Sequence, residues 1–182
     1  KTMTYPVTVQ AAYDANNLYV RLTFKAPAGG ADHSDKDNEV KATVMFPNDK
    51  VPLADQAGCW SACHEDSKGM PKGKEKTKYV SAGAMDLMQW KSSGKSADGF
   101  VADKRNMEGG KAGATAEGAK AGDTYTVTFT RKLAGNAVLA AGKAVPFGIA
   151  IHADNAAGRF HHVSFGHTIG LGADGDVKAA KQ

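Results

Sequence analysis

The chain has 182 residues, an ordinary size for one domain, with 42% apolar residues and 23 basic against 19 acidic side chains, a formal charge of +4. That apolar share supports a packed core and excludes a disordered chain. No apolar run approaches the ~20 residues of a membrane helix, so no membrane span is expected within it. The positive charge comes from 19 lysines and only four arginines, which does not resemble the clustered arginine and aromatic face of a nucleic-acid binder.

The sequence opens on Lys1 and enters a strand-like pattern directly, with no secretory signal, as a processed or trimmed chain would. Leu18, Val20, Leu22 and Phe24 then alternate with polar residues, a period of two that predicts a strand. Val40, Ala42, Val44 and Phe46 repeat it, and Pro47-Asn48-Asp49 ends it. Residues 48–80 read as a long loop holding both cysteines. Ala82 to Trp90 has the spacing of a short helix. Residues 92–123, rich in Gly, Ala, Ser and Lys, read as a second long loop with little to bury. Tyr125, Val127 and Phe129 alternate with threonines as another strand. Val145 to Ile151 and Phe160 to Phe165 read as a hairpin around residues 154–158. The tail from Ala173 reads as frayed. Short strands rich in β-branched and aromatic residues, with frequent turn signals, predict an all-β fold. The expected form is an antiparallel β-sandwich or barrel with long loops and short helices, one domain over residues 1–182.

The sharpest feature is Cys59-Trp60-Ser61-Ala62-Cys63-His64, which holds the only two cysteines of the chain. Two thiols followed at once by a histidine are what covalent haem attachment requires. The thiols reach the two vinyl groups on one edge of a porphyrin, and the imidazole is aimed at the iron. The usual spacing is C-x-x-C-H. Here three residues separate the cysteines, and a bulged loop can still bridge both vinyls. A disulfide between Cys59 and Cys63 in an exported protein is an alternative. A zinc site recruiting a further histidine to Cys59, Cys63 and His64 is another.

A c-type haem normally takes a second axial ligand. The candidates are His33, His152, His161, His162, His167 and the methionines. Met3, Met45, Met85 and Met88 fit core or strand positions, which leaves Met70 and Met107 as the methionines able to reach iron. His161 and His162 are adjacent on a strand and therefore point to opposite faces. His161 shares its face with Val163 and Phe165, His162 with Phe160 and Ser164, and the apolar wall favours His161. Two histidine ligands give a lower potential than a methionine–histidine pair.

Four stretches carry a resemblance to a known family. They are Val9-Gln10-Ala11-Ala12-Tyr13-Asp14 with Asn17-Leu18-Tyr19-Val20-Arg21-Leu22; Val44-Met45-Phe46-Pro47 leading to Gly58 and the cysteine segment; Met85-Asp86-Leu87-Met88-Gln89-Trp90-Lys91; and Gly158-Arg159-Phe160-His161-His162-Val163-Ser164-Phe165. Spread over residues 7 to 172, they resemble the haem-binding domain family that includes the gamma subunit of ethylbenzene dehydrogenase and cytochrome c-552-like domains.

The resemblance implies a β-sandwich holding one haem between loops at its edge. In the gamma subunit the haem is non-covalent, with Met and Lys as axial ligands, and the Lys segment matches His161-His162-Val163-Ser164. His161 thereby falls at the ligand position. The cysteine segment replaces the region that supplies the Met, so His64 takes that role and the haem becomes covalent. C-type members of the family are similar around the cysteines and often sit beside a membrane cytochrome b or a multihaem partner.

The expectation is a periplasmic monohaem c-type cytochrome domain, not an enzyme. It carries one haem c on Cys59 and Cys63 with His64 and His161 on the iron, and it passes single electrons to redox partner proteins. It is a soluble domain, on its own or in a membrane-associated assembly. Lys68, Lys72, Lys74, Lys76 and Lys78 follow the motif and are placed either to steer an acidic partner or simply to solvate a loop. A haem-based redox or gas sensor, and an exported module with a disulfide and no haem, are the alternatives. No Gly-x-Ser-x-Gly elbow or phosphate loop points to a hydrolase.

Overall fold

The computed structural model describes residues 4–25, 39–58, 84–152 and 161–182. In chain order the elements are β1 (Val7–Tyr13), β2 (Asn17–Lys25), β3 (Lys41–Pro47), α1 (Ala54–Ala57), β4 (Met85–Lys91), β5 (Ser96–Val101), β6 (Arg105–Asn106), β7 (Thr115–Ala121), β8 (Thr124–Lys132), β9 (Lys143–His152), β10 (His162–Val163), β11 (His167–Leu171), β12 (Val177–Lys178) and β13 (Ala180–Lys181).

Among the described residues they form two sheets. One runs β13-β1-β2-β8-β7. The other runs β12-β11-β9-β3-β4-β5-β6, with β10 added beside β9. Pairing is antiparallel except at β1–β13 and β11–β12. No described helix is long and apolar enough to cross a membrane.

The alternating strands behave as their pattern predicts. Leu18, Val20, Leu22 and Phe24 of β2 and Tyr125, Val127 and Phe129 of β8 point inward. They meet Val44 and Phe46 of β3 and Phe147, Ile149 and Ile151 of β9 in one apolar cluster shared by both sheets. This is the antiparallel β-sandwich expected from the sequence. The second sheet is apolar on its other face too: Met45, Met85, Leu87, Val101 and Ala150 form a second buried cluster with Val51 and Ala54. Met45, Met85 and Met88 are core residues, as expected.

Three expectations are corrected. The stretch read as a helix up to Trp90 is β4, because it packs on both faces. Met88 and Trp90 enter the shared cluster, Met85 and Leu87 the outer one. That two-sided burial removes the alternation a strand usually shows. Residues 92–123 are not a long loop; they carry β5, β6 and β7, and Ala112 is fully buried. The tail is not frayed: β12 pairs with β11 and β13 with β1. The expected hairpin is present, with His162 opposite Ile151 and Val163 opposite Ala150.

Candidate haem site on the outer face of the second sheet

Strand parity sorts the histidines. His162 lies opposite Ile151, an inward residue, and Val163 opposite Ala150, an outward one. His162 therefore faces the gap between the sheets, where its ring stacks on Tyr5 at 4.9 Å between centroids and 25° between planes. His161 takes the other side. It stacks on His152, the last residue of β9, at 4.8 Å and 13°. Val163 and Met107 pack against the outer apolar cluster on that side.

Short local contacts fix α1 on this layer. Ala54 of α1 is part of the outer cluster. The helix follows Leu53, whose φ of 55° is left-handed, and ends at Gly58 with φ 54°. Gly166 donates its N–H to the Gln56 carbonyl at 2.8 Å. A Cβ on Gly58 would stand 2.8 Å from the Phe165 carbonyl oxygen, and one on Gly166 would stand 2.3 Å from the Asp55 carbonyl oxygen. Only glycines allow these two backbones to meet. Gly58, the residue before Cys59 in the sequence, therefore lies against Phe165–Gly166, four to five residues past His161.

Two concavities flank the strand. A groove of about 870 Å³ opens between the sheets, lined by Val7, Val9, Phe147, Ile151 and His162, and His161 lines it too beside its stack with His152. His167 also lines it, with Nδ1 3.8 Å from Asp176. The Asp176 carboxyl lies below its usual range because the Thr168 backbone and side chain donate to it. A smaller, more polar cleft of about 590 Å³ lies on the outer side, lined by Lys41, Lys91, Lys95, Arg105, Met107 and His152. Burial, then the neighbouring His161, Lys41 and Arg105, pushes His152 down to about 3, so its imidazole is neutral at ordinary pH.

Of the expected site residues, His161 is described. Cys59, Cys63 and His64 lie outside the described residues, as do His33, Met3, Met70 and the lysines at 68, 72, 74, 76 and 78. Among the described residues no group of three or more His, Cys, Asp and Glu side chains is placed to hold a metal ion. The residues present nevertheless fit a haem. They supply an apolar wall and an imidazole beside it, with α1 two positions before the first of two thiols and a second imidazole in the sequence. Residue-by-residue reading named His152 among the candidates but missed its pairing with His161. They are nine positions apart, and only the pairing of β9 with β10 brings them together.

A family model described as ethylbenzene dehydrogenase matches residues 1–123. The chain belongs to the ethylbenzene dehydrogenase family of haem-binding domains. The resemblance expected from four sequence stretches therefore holds. Two family relatives are similar over nearly the whole chain. Cytochrome c-551 of Rhodocyclus tenuis is 52% identical over 184 residues, covering 100% of this chain and 71% of that protein. Cytochrome c-552 of Stutzerimonas stutzeri is 50% identical over 187 residues, covering 96% of this chain and 64% of that protein. A family 9 carbohydrate-binding module from Caldicellulosiruptor kristjanssonii, in complex with glucose, overlays with a TM-score of 0.47 at 12% identity. The overlay covers 91% of this chain and 68% of that one, a likeness too loose to inform function.

Proposed function

We propose that residues 1–182 form one haem-binding unit of a c-type cytochrome that carries single electrons and is not itself an enzyme. Its haem is attached through Cys59 and Cys63, with His64 and His161 as axial ligands. The observation that carries this reading is placement. His161 stacks on His152 beside the outer side of the second sheet, the side whose apolar cluster contains Ala54 of α1, and Cys59 follows α1 in the sequence after Gly58 alone. Membership of a haem-binding family and two relatives named cytochromes c support the same chemistry.

The haem, when bound, supplies the one-electron couple. The chain's own residues fix its position, supply the imidazoles and keep water from its faces. Two histidine ligands place the potential below that of a methionine–histidine site. Covalent attachment of haem takes place outside the bacterial cytoplasm, which assigns the protein to the periplasm. There it serves redox partner proteins, among them a membrane cytochrome b or a multihaem cytochrome.

The test is an optical spectrum of the purified holoprotein in alkaline pyridine, before and after acid–acetone extraction. A c-type haemochrome that stays with the polypeptide supports attachment at Cys59 and Cys63. The native ferric spectrum should lack the methionine–iron charge-transfer band, and His161→Ala should abolish the six-coordinate low-spin form. A colourless protein, made in cells that mature c-type cytochromes, would overturn the reading in favour of a disulfide-bearing module.

A further inference from the structure

We infer that His152 is a positioning residue that holds the ring of His161 in plane and so keeps the sixth coordination position of the haem closed. The inference deepens the reading above, since it rests on His161 as the second ligand. The two rings are close to parallel, 13° apart at 4.8 Å. That is an offset, nearly parallel stack, in the range where ring pairs attract. The contact is set by the backbone: His152 is the last residue of β9, two beyond Ala150, which pairs with Val163. A rigid strand therefore presents the His152 ring to its neighbour.

His152 is not explained as an ordinary polar residue. Its Nδ1 is buried and finds no hydrogen-bond partner among the described residues. A buried nitrogen left unsatisfied costs about 1–3 kcal/mol, which a plain aromatic ring at the same position would avoid. No described ion pair involves His152. What it does make is the flat contact with His161 on one side, while its other side borders the cleft with Lys41, Arg105 and Met107. An axial imidazole can turn about its bond to iron and can swing away from it. Partners outside the coordination sphere commonly fix that orientation, and losing them loosens the ligand. A parallel ring backed by a strand opposes both motions.

The test uses the haem-loaded full chain, with His152→Phe, His152→Ala and His161→Ala beside the wild type. The first readout is the low-temperature paramagnetic resonance spectrum of the ferric protein, whose low-spin signal reports the orientation of the axial rings. The second is the rate at which carbon monoxide takes the sixth position of the ferrous protein, which reports how often the ligand leaves. His152→Ala is expected to shift or broaden the low-spin signal. It should also raise the carbon monoxide rate about two- to tenfold, the range that the loss of one ring pair converts to. His152→Phe, which keeps a flat ring, is expected to restore both.

If His152→Ala matches the wild type in both readouts, or if His152→Phe behaves like His152→Ala, the positioning role is wrong. If His152→Ala does not accumulate, His152→Leu carries the same test, because it fills the space without a ring. The His161→Ala protein separates the two levels. Retention of a six-coordinate low-spin spectrum there would overturn the ligand reading itself, whatever the His152 variants do.

Discussion

Asp86 and Arg131 meet in the interior with neither side chain exposed, their charged atoms 3.1 Å apart. Asp86 also accepts from the backbone N–H groups of Asn136 and Ala137 and from the Asn136 side chain, at 2.9–3.0 Å. Arg131 gives its remaining bonds to the carbonyls of Lys132, Ala134 and Ala137, and its guanidinium lies 5.0 Å from the centre of the Phe46 ring. Burial lowers the pKa of Arg131, and the Asp86 charge opposes that shift. Asp86→Ala would leave a buried cation uncompensated, which costs about 3–5 kcal/mol. Denaturant unfolding should show a loss of that size, and a loss under 1 kcal/mol would refute the account.

Asp14 poses the opposite case, on the surface. Its carboxylate accepts from the N–H of Asn16, the Tyr19 hydroxyl and the N–H of Asn17, each at 2.7 Å, which holds it below the usual carboxylate range. A folded value below the unfolded 3.8 stabilises the protein above that pH, and the contribution is lost as the pH falls through the folded value. The stability difference between wild type and Asp14→Ala should be largest near neutrality and shrink in acid. A difference that grows in acid would contradict the sign.

At the scale of elements, β2 and β8 are legible in the sequence because each buries one face against the shared core and leaves alternate residues wetter, while β3 and β9, buried on both faces, are legible from their β-branched and aromatic residues. β4 is not, because Met-Asp-Leu-Met-Gln-Trp-Lys buries both faces and its apolar residues fall at helix-like spacings. β7 is hidden for a different reason. Thr-Ala-Glu-Gly-Ala-Lys-Ala contains poor strand formers, and pairing with β8 makes it a strand.

The glycine within β7 has a purpose no local pattern shows. A Cβ on Gly118 would stand 2.4 Å from the Trp90 ring, so the strand crosses the indole only because that side chain is missing. Gly118→Ala should destabilise by about 1–3 kcal/mol, the range for overpacking. It should also alter the near-ultraviolet circular dichroism as Trp90 is displaced. An unchanged midpoint and spectrum would mean the ring moves aside freely.

At the scale of the whole molecule, the sandwich is built with one sheet apolar on both faces. Its inner face makes the core and its outer face makes a second layer, on which α1 is seated beside β9 and β11. That seat depends on the contact between residues 55–58 and 165–166. In Gly166→Ala the new methyl group would collide with the Asp55 carbonyl and push α1, which precedes the cysteine segment in the sequence, off the layer. The expected result is a lower yield of covalently attached haem per polypeptide, read by pyridine haemochrome, with the strand content kept in far-ultraviolet circular dichroism. Full haem occupancy in this variant would show that the seat does not guide attachment.

Alternation of side chains determined by itself that this is an all-β fold, because a period of two needs no knowledge of the partner strand. The pairing of Cys59 and Cys63 with His64 pointed by itself to haem chemistry, because thiols and an imidazole at that spacing suit one cofactor edge. The parity of adjacent strand residues likewise put His161 and His162 on opposite faces. Only the tertiary structure decided what those faces meet. The pairing of β9 with β10 brought His152 onto His161, and packing between elements brought Tyr5 onto His162 and the end of α1 against Phe165–Gly166. Contacts between residues far apart in the chain follow from sheet pairing and layer packing, and no short stretch of sequence encodes either.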